Sequence, residues 1–197
     1  MEVPRDAQAR DQFFRQMVPS FPTEEKVIVD AMTAVLEKSG DAILVTHSAG
    51  GGPGWATAIQ SDKVKAIIAL EPGAFPFPEG EVPPVEETTS PFPAVPTEIP
   101  LADFEKLIKI PIIVYFGDNV YTGDQPFTNW GFDNWRTRVN LAIKWLQVAK
   151  AHGGNVEVRY LSDDGATGTT HFMMADSNNL EVADAMENWL KSKGLAK

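Results

Sequence analysis

Residues 24–38, EEKVIVDAMTAVLEK, place apolar side chains at Val27, Ile28, Ala31, Ala34 and Val35, the spacing of one helical face. Thr23 is the predicted N-cap, the first turn is acidic, and Gly40 marks the end. AILVT (42–46) then reads as a short buried strand and GWATAIQS (54–61) as a helix. VKAIIAL (64–70) and IPIIVYF (110–116) are two more apolar strands. A long helix is predicted over 133–154, with Leu141, Trp145 and Val148 on one face and Gly153-Gly154 as its stop. NVEVRYL (155–161) is a fourth strand, and NLEVADAMENWLKSKG (179–194) a closing helix.

Strands and helices alternate, and the strands are short, apolar and rich in β-branched residues. That pattern predicts an α/β fold built on a parallel sheet with helices on both faces. No internal repeat is visible. Residues 72–100 interrupt the alternation, holding nine of the fifteen prolines. Proline cannot donate to a ladder and blocks helix interiors, so this stretch is expected to be irregular. A long insertion at the carboxyl end of a strand is expected to cover a site; a plain linker is the alternative. The 197 residues otherwise suit one domain with a sizeable core.

Composition narrows the function classes. The chain is 43% hydrophobic with a net charge of -10 and no cluster of Lys or Arg. Nucleic acid and anionic membrane surfaces are therefore poor partners. There is no cysteine, so disulfides, thiolate chemistry and Cys-based metal sites are excluded. No apolar run reaches the ~20 residues that span a bilayer. The opening MEVPRDAQARDQFFRQ is charged and broken by Pro4, unlike a signal peptide. It leaves the cellular location undetermined.

Three chemically able residues fall at carboxyl ends of predicted strands, where parallel sheets gather ligands. Ser48 lies in Thr46-His47-Ser48-Ala49-Gly50, between a strand and a helix, the setting a nucleophile elbow requires. The pattern G-x-S-x-G is met except at Thr46, which stands in the first glycine's place. An ordinary serine N-cap is the plainer reading. His171, in DDGATGTTHFMMAD, is the histidine on a loop suited to serve Ser48 as base; His47 abuts the serine and His152 caps a helix. For the acid, Glu71 ends the second strand, directly before Pro72. A carboxylate there wants a partner, and the imidazole of His171 is the expected one. Asp118 is the alternative acid; in Gly117-Asp118-Asn119-Val120, valine holds the position a G-x-x-D pattern would give to an acid.

Taken together, the Ser48 elbow, Glu71-Pro72-Gly73, Phe116-Gly117-Asp118 and His171-Phe172-Met173-Met174 resemble the α/β-hydrolase superfamily. More narrowly they resemble bacterial serine esterases whose triad acid is a glutamate after the strand following the elbow. The resemblance spans residues 12–193 and implies a carboxylic ester hydrolase acting through an acyl-enzyme. Ser48 would be the nucleophile, His171 the base and Glu71 the acid, with the Ala49 N–H as one oxyanion donor. It implies no cofactor and no metal, and a small-molecule ester as substrate. Phe75, Phe77, Trp130 and Trp135 would line an acyl or aromatic site, or equally belong to the core.

The same resemblance implies strands before the elbow, and the forty residues preceding it read as helix and loop. The chain is thus expected to resemble the carboxyl-terminal half of the fold, with the second oxyanion donor elsewhere. Losing one such donor costs ~10²–10³ in rate. A catalytically weak domain that binds a small apolar ligand is accordingly the second functional expectation. Strand 42–46 would become an exposed edge, relieved by a homodimer or by an amino-terminal segment pairing with it. Full-length relatives that are secreted or periplasmic fit the same resemblance.

Overall fold

The computed structural model describes residues 6–18 and 23–196. Pro4, which carries the reading of the amino-terminal opening, lies outside them. Contacts divide the chain into two compact units: Glu25–Phe116 with Val120–Arg159, and Met1–Glu24 with Gly117–Asn119 and Tyr160–Lys197.

In the larger unit the apolar runs become the strands of one sheet. These are β1 (Ala42–His47), β2 (Val64–Leu70), β5 (Ile112–Phe116) and β6 (Val156–Tyr160), ordered β1-β2-β5-β6. β1 pairs with β2 and β2 with β5, both in parallel. Parallel neighbours need crossovers, and helices α3 (Gly51–Gln60), α4 (Leu101–Ile108) and α5 (Trp130–Ala151) provide them. The central strands are sealed on both faces: Ala66–Ala69 and Ile112–Phe116 are fully buried. Their continuous apolar runs, without alternation, follow from that double burial.

Several expectations change in detail. The third strand begins at Ile112 rather than residue 110, because Pro111 has no N–H to give to the ladder. The long helix starts earlier, at Trp130, where the Asn129 side chain accepts the amides of Gly131 and Phe132. Its end is as read: His152 is the C-cap and Gly153 takes a positive φ of 75°. Residues 72–100 are mainly irregular, but Pro76–Pro78 (β3) and Thr97–Ile99 (β4) pair as a small parallel ladder. Helix α4 was not anticipated. Its signal is Leu101, Phe104, Leu107 and Ile108 at helical spacing after Pro100, of which the last three are buried.

The largest departure concerns α2 (Glu25–Ser39). Of the apolar positions whose spacing marks the helix, Val27 is 56% and Val35 55% accessible and Ile28 is also open, as is Met32 beside them. Val29 and Leu36, a different stripe, are the buried positions. Apolar periodicity identified the helix, and which side faces inward comes from the structure, because the helix is apolar on more than one side.

The smaller unit contains α1 (Ala7–Arg15) and α6 (Asn179–Ser192). Asp6 caps α1 through the amide of Ala9. Helix α6 buries Val182, Ala185 and Trp189, and the loop that precedes it carries His171. Among the described residues, no helix is long and apolar enough to cross a membrane.

Candidate active site

The chain reverses direction at Ser48 between β1 and α3. Ser48 has φ 54°, a left-handed backbone that non-glycine residues seldom adopt. It opens a short 3₁₀ turn, Ser48–Gly50, which runs straight into α3. The amides of such a turn and helix N-terminus point toward developing negative charge, and Ala49 is the residue immediately after the serine.

Threonine in the place of the motif's first glycine has a local explanation. A Cβ built on Gly54 would lie 2.5 Å from Thr46 Cγ2. Glycine at 54 therefore makes the room that the threonine methyl takes, and the elbow keeps its tight packing with the small residue on the helix instead of the strand. Gly51 is small for another reason: a Cβ there would meet Pro72 Cβ at 2.7 Å.

Glu71 ends β2 in the same unit, with its amide donating to Tyr115 O (2.8 Å). Its side chain is 2% exposed, and its φ is 42°. Among the described residues, Ser48 and Glu71 are the two non-glycine positions with positive φ. The turn after Glu71 is bound to the elbow. Gly73 N donates to Ser48 O (2.9 Å), and Trp55 Nε1 in α3 donates to Ala74 O (2.8 Å). Nucleophile and acid candidates thus sit on two adjacent strained turns, cross-linked by hydrogen bonds.

His171 and Asp118 belong to the smaller unit. Asp118 accepts from Gly168 N (2.7 Å), Thr169 N (2.9 Å) and Thr169 Oγ1 (3.1 Å). Burial pushes its carboxyl up, but these donors outweigh it and hold the carboxyl below its ordinary value. Asn119 Nδ2 donates to Thr169 O, Asn178 Nδ2 to Thr167 O, and Asp176 accepts from Thr170 N and Oγ1. The segment leading to half-buried His171 is therefore a braced loop, and Asp118 is one of its braces. That is a structural use for the alternative acid.

Of the aromatics, Phe75 and Phe77 are fully buried. Phe75, Trp55 and Trp145 form one ring cluster, with centroids 6.3, 5.6 and 5.4 Å apart for Phe75–Trp55, Phe75–Trp145 and Trp55–Trp145. Both phenylalanines are part of the buried core. Trp130 is 53% exposed and meets Phe92 edge-on, while Trp135 carries the Arg138 guanidinium over its ring.

Sequence reading missed what holds the proline-rich stretch. Asp133 and Arg136, in the first turns of α5, are buried and joined by a 2.6 Å bond from Nε to Oδ1. Asp133 also accepts from Thr88 Oγ1, Thr89 N and Phe127 N. Arg136 donates to Glu87 O and to the Glu86 carboxylate. An Asp three residues before an Arg, among aromatics on a helix, was the available signal. Among the described residues, no group of three or more His, Asp and Glu side chains could hold a metal.

A four-stranded, parallel-centred sheet with crossover helices and strained turns after two adjacent strands corresponds to part of the α/β-hydrolase fold. Comparisons with known proteins agree. The structure superposes on that of a novel bacterial esterase with a TM-score of 0.65 and 27% identity, over 94% of this chain and 49% of that one. Probable secreted lipase phiG of Fungal sp. (strain ATCC 74256) is 27% identical over 204 residues, which is 90% of this chain and 53% of the lipase. A carboxylesterase study of the thaumarchaeon Nitrososphaera gargenis supplies a further structure at TM-score 0.50 and 13% identity, over 89% of this chain and 75% of that one, a likeness of fold alone. No family model matches the chain. The chain spans about half the length of the bacterial esterase and of the lipase.

Proposed function

We propose that this chain carries the catalytic machinery of a serine carboxylic ester hydrolase. Ser48 Oγ attacks the acyl carbon while His171 takes its proton, and the carbonyl electrons move onto an oxyanion met by the Ala49 N–H. The tetrahedral intermediate collapses, the ester C–O bond breaks, and His171 returns the proton to the departing alkoxide. Water, deprotonated by the same histidine, then attacks the acyl-enzyme and releases the carboxylic acid and free Ser48. Glu71 orients the imidazole and stabilises its charged form, in preference to Asp118, which is engaged with the loop at Gly168 and Thr169. No step calls for a cofactor.

One observation carries this reading. The two non-glycine residues with positive φ among the described residues are the serine and the glutamate that the chemistry needs. Backbone strain of this kind costs about 1–3 kcal/mol per residue and persists where the surroundings over-determine it, most often at functional sites. An esterase and a lipase as relatives support an ester as the substrate. The lipase is described as secreted, which supports an extracellular place of action for this chain too.

The proline-rich stretch 72–100 is read as the wall over the acyl side of this site, with Trp130 as its exposed aromatic. The test is turnover of a short-chain p-nitrophenyl ester by the wild type and by Ser48→Ala. Turnover that disappears in the variant is expected; equal rates in both, or none in either, would reject the reading.

A further inference from the structure

We propose that Asp176 is a positioning residue for His171, acting through Thr170 to fix the backbone that presents the imidazole. The inference rests on the reading of His171 as the base of the hydrolytic reaction. A general base works within hydrogen-bond reach, and a displacement of about 1 Å can cost about 10²-fold in rate. His171 lies in a turn between β6 and α6, outside any strand or helix. Its backbone must therefore be held by something other than a ladder.

Asp176 supplies that hold on both sides of the histidine. Its Oδ2 accepts from Thr170 N (2.6 Å) and its Oδ1 from Thr170 Oγ1 (2.9 Å). The same hydroxyl accepts from Phe172 N (3.1 Å). A carboxylate only accepts, so the Thr170 proton points to Asp176 and the hydroxyl lone pairs remain for the Phe172 amide. Both backbone torsions of His171 lie inside the ring that this last bond closes. One carboxylate thus governs the residue before the histidine and, through it, the residue after.

Asp176 is itself anchored. It is 1% exposed and directly follows the 3₁₀ turn Met173–Ala175, whose Met173 is fully buried. Its carbonyl accepts from Asn179 N (3.1 Å), the first residue of α6, and that helix buries Val182, Ala185 and Trp189. Burying a carboxylate is costly unless its oxygens are hydrogen-bonded, and here Thr170 satisfies both. The other braces act earlier in the loop: Asp118 holds Gly168 and Thr169, and Asn178 holds Thr167. They steady the approach to His171, whereas Asp176 sets the histidine's own torsions.

The test compares the wild type with Thr170→Val, Asp176→Ala, Thr170→Ser, Asn178→Ala and His171→Ala. Turnover of p-nitrophenyl acetate, melting temperature and the ring resonances of isotope-labelled histidine are measured for each, and His171→Ala assigns the His171 signal. Thr170→Val and Asp176→Ala should lower kcat about 10- to 100-fold, with KM within about twofold of wild type. Thr170→Ser keeps the hydroxyl and should stay within about threefold of wild type. Asn178→Ala should lose melting temperature and keep kcat, because its bond ends at Thr167. The His171 ring should give one narrow signal in the wild type and in Asn178→Ala. In Thr170→Val and Asp176→Ala it should broaden or double, a readout that needs no turnover. An unchanged ring signal in both of those variants would overturn the proposal. So would a kcat that simply follows melting temperature across the set. Turnover undiminished in His171→Ala would remove the base and with it the purpose of the clamp; turnover lost there but kept in Thr170→Val and Asp176→Ala would overturn the clamp alone.

Discussion

The backbone N–H of Gly73 donates to the carbonyl oxygen of Ser48 across 2.9 Å. That single bond ties the turn after β2 to the turn after β1, and each turn contains one residue with strained φ. Neither strained turn stands alone, so the scaffold can hold both without relaxing. Gly51 sits at this seam, where an added Cβ would reach 2.7 Å from Pro72 Cβ and 3.2 Å from its Cα. Gly51→Ala should therefore lower stability by about 1–3 kcal/mol and weaken esterase activity out of proportion to that loss, because it pushes the two turns apart. Denaturant midpoints read beside initial rates give both numbers.

The pairing of Thr46 with Gly54 makes a second prediction. Gly54→Ala should be destabilising by about 1–3 kcal/mol, since its methyl would fall on Thr46 Cγ2. With Thr46→Ala in place that collision is gone, and Gly54→Ala should cost less than about 1 kcal/mol. Additive costs in the double-mutant cycle would refute the exchange of small residues between strand and helix.

Glu71 and Asp118 separate by what their removal does. Glu71→Gln should lower kcat by about 10²- to 10⁴-fold. Asp118→Asn turns one of the two carboxylate oxygens, which between them accept from three donors in the loop before His171, into an NH2 that cannot accept. Its main effect should be a melting-temperature loss, equivalent to about 1–3 kcal/mol, with a smaller fall in kcat. The reverse ranking in paired kinetic and melting measurements would make Asp118 the acid.

Much of this was legible in the sequence, and the reason is chemical. The strands β2 and β5 announced themselves because burial on both faces demands unbroken apolar runs. The tight turns at Ser48 and Glu71 were legible because each sits where an apolar run ends, beside residues that a tight turn needs. The inward face of α2 was not legible: Val27, Ile28 and Val35 are as apolar as Val29 and Leu36, and periodicity cannot say which of two apolar stripes meets the core. The burial of Phe75 and Phe77 was not legible either, since an aromatic near a strand end looks alike in sequence whether it lines a pocket or fills the core. The clasp at Asp133 and Arg136 depends on backbone groups some 45 residues away in sequence, which no local pattern reports.

That clasp carries a pH prediction. Burial pushes the Asp133 carboxyl up, but Arg136, Thr88 and the amides of Phe127 and Thr89 outweigh it and hold it well below 3.8. A carboxylate depressed in the folded state adds stability that is complete above its unfolded value. That stability is lost as pH falls through the folded value. Asp133→Asn should cost about 3–5 kcal/mol at neutral pH, because it takes from buried Arg136 its nearer counter-charge and leaves Glu86, at 3.3 Å, as the remaining carboxylate. The gap between wild-type and variant melting temperatures should narrow as pH drops below 3.8. A gap that is constant from pH 7 to pH 3 would contradict the assignment.

The central claim is that Ser48 is an activated nucleophile. Its most direct test is the intact mass of the chain after exposure to a fluorophosphonate, followed by peptide mapping. The account predicts one adduct per chain, located on Ser48, absent from Ser48→Ala and slowed in Glu71→Gln. An adduct on another residue, or equal labelling of wild type and Ser48→Ala, would contradict it.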